Sequence, residues 1–173
     1  MWAISVPLPK CWWVEHHLLA GLTFSGSSET EILRNLDALH AAGIGAIVSL
    51  LPSEHLSWNA ELRARIGEEI RSRFSLQVFF LRDGTVPRRP KMRAILDAID
   101  RELTRGRKVF LHCFTGRDRT GIVAGCWLAR HGLAESLGLL DRIAELRVQA
   151  GLFSPSPETE AQRGLVTSWR HRE

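Results

Sequence analysis

The chain has 173 residues, 45% of them hydrophobic and 24% charged, with a net charge of +4 and a pI near 9.5. These values exclude disordered, collagen-like and coiled-coil proteins and fit one globular domain, residues 1–173. Three cysteines, Cys11, Cys113 and Cys126, have neither CxxC nor Cys/His spacing, which excludes a disulfide framework and a structural zinc site.

The opening MWAISVPLPK is broken by Pro7 and Pro9 and is not expected to be a secretory signal. No apolar run approaches the ~18–20 residues of a membrane span, so a cytoplasmic monomer is the expectation. Trp12 to Val14 and Leu18 to Leu22 read as short strands. Ser28 with Glu31 three residues on has capping-box spacing and opens an amphipathic helix to about Ala42, where Gly43 and Gly45 stop it. Ala46 to Leu51 is an uninterrupted apolar run closed by Pro52, the pattern of a buried parallel strand. A helix over Ser57 to Arg73 and a strand over Leu76 to Leu81 follow. Next come a turn-rich stretch at residues 82–87 and a helix from about Pro90 to Arg105. Val109 to His112 is the last strand. Helices are predicted at Thr120 to His131, Ala134 to Gln149 and Pro157 to Trp169. Strands alternating with helices give an α/β fold: a mostly parallel sheet of four to five strands, flanked by helices on both faces.

The segment from Val109 to Gly121 carries the chemistry: a buried strand, a loop from Cys113 to Arg119, then a helix. In open α/β sheets, ligands bind beyond the carboxyl ends of strands. A loop entering a helix N-terminus presents free N–H groups and the positive dipole end, which is an anion site. Cys113 at that place is a reactive thiolate. Arg119 forks two oxygens of a phosphate, and Thr120 donates its hydroxyl towards the sulfur. Phe114, Thr115, Gly116, Arg117 and Asp118 line the phosphate-binding loop.

The sequence HCFTGRDRTG resembles the signature of the cysteine-dependent protein tyrosine and dual-specificity phosphatases at each defining position. That resemblance implies a metal-independent phosphomonoesterase without cofactor, acting through a covalent phosphocysteine on phosphotyrosine, phosphoserine or phosphothreonine proteins. Phosphoinositides or inositol phosphates are the alternative substrates. Asp83, in Arg82-Asp83-Gly84-Thr85-Val86-Pro87 and thirty residues before Cys113, matches the family's general acid. Asp118, inside the loop, is its rival. The resemblance spans about residues 12–169, which it implies are the core of the domain, and takes in Trp-Trp-Val and Leu-Ala-Gly near the start. It also covers Ser156-Pro157-Glu158-Thr159, where Gln162 either positions the hydrolytic water or caps and packs.

Other features are discounted. His16 and His17, read as adjacent strand residues, would point to opposite faces and share no metal. His112 is a core residue steadying the loop, and Cys126 a core thiol rather than a resolving one. The six tryptophans are packing residues, with Trp12 and Trp13 as candidates to flank the site. Arg82, Arg88, Arg89 and Lys91 beside the acid loop form either a solvated turn or, with Arg117, a second anion subsite. A rhodanese-like sulfurtransferase would not require Thr120-Gly121 together with the Asp-Gly-x-x-Pro loop. A phosphate-reading module without turnover has no support while Cys113, Arg119 and Asp83 are all present. A nucleic-acid partner would explain the pI but not the loop. The chain has no tyrosine, so a tyrosine-lined phosphotyrosine pocket is not expected.

Overall fold

The computed structural model describes residues 5–26, 28–134 and 138–173. Strands β1 (Cys11–Glu15) and β2 (Leu18–Leu22) form an antiparallel hairpin. They are followed by helix α1 (Glu29–Ala41), β3 (Ile44–Ser49), a single 3-10 turn (Ser53–His55), α2 (Ala60–Arg73) and β4 (Ser75–Val78). The remainder is α3 (Arg89–Thr104), β5 (Lys108–Cys113), α4 (Asp118–Arg130), α5 (Leu139–Gln149) and α6 (Glu160–Ser168). The sheet order is β1-β2-β5-β3-β4, with every pair except β1–β2 parallel.

The last strand in sequence is central in space. β5 lies between β2 and β3, and Val109, Phe110 and Leu111 are fully buried. A strand covered on both faces reads as an apolar run, which is why its position was legible. Helices α1 and α2 pack on each other and on β3 and β4, whereas α3 to α6 contact one another and β1, β2, β3 and β5. The sheet is therefore covered on both sides, as expected.

Several boundaries moved for local reasons. α2 begins at Ala60 instead of Ser57 because Asn59 caps it, accepting from the Leu62 N–H at 2.8 Å. β4 ends at Val78 instead of Leu81, because Phe79 and Leu81 donate to the carbonyls of Ser49 and Leu50 beyond the regular ladder. Ser28 caps α1 as expected, its hydroxyl accepting from the Glu31 N–H at 3.2 Å. The early start expected for α5 at Ala134 runs into residues 135–137, outside the described residues; the helix itself begins at Leu139. His16 and His17 sit in the β1–β2 turn, both exposed, and no metal-holding group of His, Cys, Asp and Glu occurs among the described residues. Trp12 is buried, and Trp13 packs under Lys108 at the start of β5, the end opposite Cys113, so neither flanks the site.

Candidate active site

β5 delivers Cys113 as its last residue, and α4 begins only five residues later. Asp118 and Arg119, expected in the loop, belong to the first turn of α4 and are both buried. Their side chains are thus fixed by a helix, while Phe114 and Thr115 form the exposed lip. The Gly116 N–H points at the Cys113 sulfur from 3.2 Å. That approach requires glycine: φ is +68°, and a Cβ would lie 2.4 Å from the Gly21 carbonyl carbon and the Leu22 nitrogen. Gly121 meets a similar limit, since a Cβ there would lie 2.1 Å from the Ser156 hydroxyl oxygen.

The acid loop closes over this cradle. Arg119 donates to the Leu81 carbonyl at 3.3 Å and pairs with Asp83 at 3.2 Å. Its Nε is buried and has no hydrogen-bond partner. The Gly84 N–H donates to Asp118 at 2.7 Å, and Gln162 donates to the other Asp118 oxygen and, more weakly, to the Thr85 carbonyl. Burial, and then contact with the Asp83 carboxylate, push the Asp118 carboxyl above its ordinary range; the Gly84 and Gln162 donors oppose this in part.

Gln162 also completes a capping box with Thr159 at the start of α6. It caps, packs and holds Asp118, the second of the two roles left open by the sequence. The Thr120 hydroxyl, expected to face the sulfur, donates to the Gly21 carbonyl of β2 at 3.4 Å. His112 is buried behind the loop as expected, stacked on Phe110 and edge-on to Phe24; burial lowers it from 6.5 to about 4, so the ring is neutral at physiological pH. Cys126 is a free, fully buried core thiol whose burial drives its pKa up.

The cationic rim is smaller than the sequence suggests. Arg117 pairs with Glu158, Arg89 with Glu173 and Ser168, and Lys91 donates to the Phe80 carbonyl. Arg82 and Arg88 are exposed and have no such partners among the described residues. One cation escaped the sequence reading. Arg147 on α5 is 3% exposed, donates to the Gly116 carbonyl at 3.0 Å, and also reaches Ser154. Desolvation and Arg117 lower its pKa, while the Cys113 charge raises it. The signal was present: Leu139, Ile143 and Arg147 recur every four residues, which places an arginine on the buried stripe of α5.

A family model described as a polymorphic toxin system DSP-PTPase phosphatase matches residues 20–133. Among curated proteins none matches. Among solved structures, the active form of Tk-PTP is similar at 20% identity, covering 93% of this chain and 96% of that one, with a TM-score of 0.71. A kinase associated phosphatase with its catalytic cysteine replaced by serine gives 16% identity, 92% and 93% coverage and a TM-score of 0.73. PTPMT1 in complex with PI(5)P gives 14%, 92%, 94% and 0.69. At these identities the likeness is one of fold.

Proposed function

The chain belongs to the DSP-PTPase phosphatase family of polymorphic toxin systems, and on that premise we propose that it hydrolyses phosphomonoesters through a phosphocysteine at Cys113. The observation that supports this most directly is the buried, partnerless Nε of Arg119 beside the Cys113–Gly116 cradle. A buried donor without a partner is costly, and a phosphate oxygen supplies the partner. The substrate dianion would take the Arg119 fork from Asp83, with the α4 N-terminus behind it.

In the first step the Cys113 thiolate attacks phosphorus and the phosphorus–oxygen ester bond breaks. The leaving oxygen takes its proton from Asp83, and Asp118, which keeps its proton above the usual carboxylate range, stands behind Asp83 as its source. In the second step the Asp83 carboxylate takes a proton from water as that water attacks phosphorus. The sulfur–phosphorus bond breaks and inorganic phosphate leaves. Arg147 holds the Gly116 carbonyl from behind, keeping the Gly116 N–H on the sulfur and adding a cation near the thiolate.

Phosphoprotein is the substrate class favoured, since Arg117, Arg89 and Lys91 are engaged elsewhere. On the same proposal the setting is cytoplasmic and the reaction metal-free. The phosphoinositide reading keeps one support, the unpartnered Arg82 and Arg88 beside the acid loop. Turnover of an aryl phosphate by wild type and Cys113→Ser tests the proposal. Cys113→Ser is expected to bind substrate without turning it over. Vanadate is expected to inhibit and EDTA to have no effect; turnover above a tenth of wild type in Cys113→Ser would refute the covalent route.

A further inference from the structure

On the face of the sheet opposite α4 lies a cleft of about 380 Å³ between α2 and strands β3 and β4. That volume falls within the range of small-molecule sites, about 300–1,000 Å³. Ile66 and Ile70 are the buried residues of α2, and beside them Ala60, Ala64 and Gly67 recur at helical spacing along the cleft, where bulkier side chains would narrow it. Ala60, Ala64, Arg71 and Val78 are solvent-exposed, so the cleft opens to solvent along α2.

Its polar lining is incomplete. His112 stands at the inner end, 2% exposed. Its Nδ1 lies 3.4 Å from the Cys113 carbonyl, and its distal Nε2 has no hydrogen-bond partner. Alternation along β5 directs this ring, with Phe110 and Phe24, to the α2 side and away from the phosphate loop. The Nε of Arg63 is likewise buried and unpartnered among the described residues, while its Nη2 donates to the Trp58 carbonyl at 3.0 Å. Arg71, the next cation along the same stripe, has no carboxylate within ion-pair distance among the described residues. An apolar cleft with two cations lacking counter-charge and a neutral ring nitrogen lacking a partner has the chemistry of an amphiphile site.

We propose that this cleft binds a small amphipathic anion, its acid group at Arg63 and Arg71, its apolar body along Leu56 and Trp58, and a hydroxyl reaching His112. The site is separate from the phosphate loop and does not depend on the reaction assigned there.

Titration calorimetry of the full chain with octanoate, 8-hydroxyoctanoate and octanol tests it. Octanoate is expected to bind saturably at one site, octanol about tenfold more weakly, and 8-hydroxyoctanoate about fivefold more tightly, as loss or gain of one polar contact predicts. Ala64→Trp, which fills the mouth, is expected to abolish binding. Arg71→Gln, an exposed change that leaves the fold intact, is expected to weaken octanoate and leave octanol unchanged. Absence of saturable binding by all three ligands, equal affinity for octanoate and octanol, or unaltered binding in Arg71→Gln would each overturn the proposal. Equal affinity for octanoate and its hydroxy analogue would overturn the contact with His112.

Discussion

The Asp83 carboxylate stands 3.2 Å from the Arg119 guanidinium, and this pair joins the acid loop to the phosphate loop without substrate. Arg119 is buried, but the Asp83 side chain is 73% exposed. Pairs with one solvated partner contribute about 0–1 kcal/mol. A phosphate that accepts two charge-assisted hydrogen bonds from the same fork outcompetes it. On the proposed mechanism Asp83 is thus held beside the phosphate-binding arginine by a contact weak enough to yield.

Replacing Asp83 by Asn is expected to lower kcat by roughly 10²–10⁴, the usual worth of a positioned acid–base group. The loss should be greatest for alkyl phosphates and least for an activated aryl phosphate. Asp118→Asn removes the carboxyl that burial and Asp83 raise, so the alkaline fall in kcat/KM should begin at lower pH. A pH–rate profile of Asp118→Asn superimposable on wild type would show Asp118 to be only a latch for Gly84.

Arg147→Met is expected to slow iodoacetamide alkylation of Cys113 at pH 6 about tenfold, because it removes a buried cation near the thiolate. Arg147→Lys should restore part of the rate by keeping the charge without the fork. Equal alkylation by wild type and Arg147→Met would leave Arg147 a purely structural tie to Gly116.

His112 is held neutral, so the sign of its pH effect is fixed. The unfolded ring takes a proton below 6.5, whereas the buried ring does so only near 4, and the native state therefore loses stability as pH falls through that window. Urea unfolding should show a loss on the order of 2 kcal/mol between pH 7 and pH 5 in wild type that is missing in His112→Asn. An identical pH dependence in both proteins would contradict the buried neutral ring.

Gly116→Ala is expected to abolish turnover and lower the melting temperature. The added carbon would meet backbone atoms of β2 at 2.4 Å, where no rotamer change relieves the contact, and left-handed strain adds about 1–3 kcal/mol. Activity within tenfold of wild type would mean that the loop does not rest on β2 as described.

Arg117→Ala is expected to affect an aryl phosphate and an inositol polyphosphate alike, since its side chain is turned to Glu158. The double change Arg82→Ala and Arg88→Ala should weaken the polyphosphate selectively, more so at low salt. Selective loss in Arg117→Ala instead would restore the second anion subsite on that side.

What the sequence by itself determined was local. Apolar runs showed β3 and β5 as buried strands, Ser28 announced α1, and the residues from Val109 to Gly121 displayed a strand, loop and helix in a single contiguous stretch. Asp83 was singled out by its interval from Cys113 and the family resemblance, and the structure sets it beside Arg119. Tertiary structure decided whatever depends on partners distant in the chain. Arg117 reads as a free cation until Glu158, forty-one residues on, is brought against it. Arg147 reads as one more charge on a helix until α5 packs its apolar stripe behind Gly116. Thr120 turns to Gly21, ninety-nine residues away, because the parallel pairing of β2 with β5 sets that carbonyl beside it. The raised Asp118 carboxyl exists only where α6, the acid loop and α4 converge, since burial and a neighbouring carboxylate are properties of space and not of sequence order.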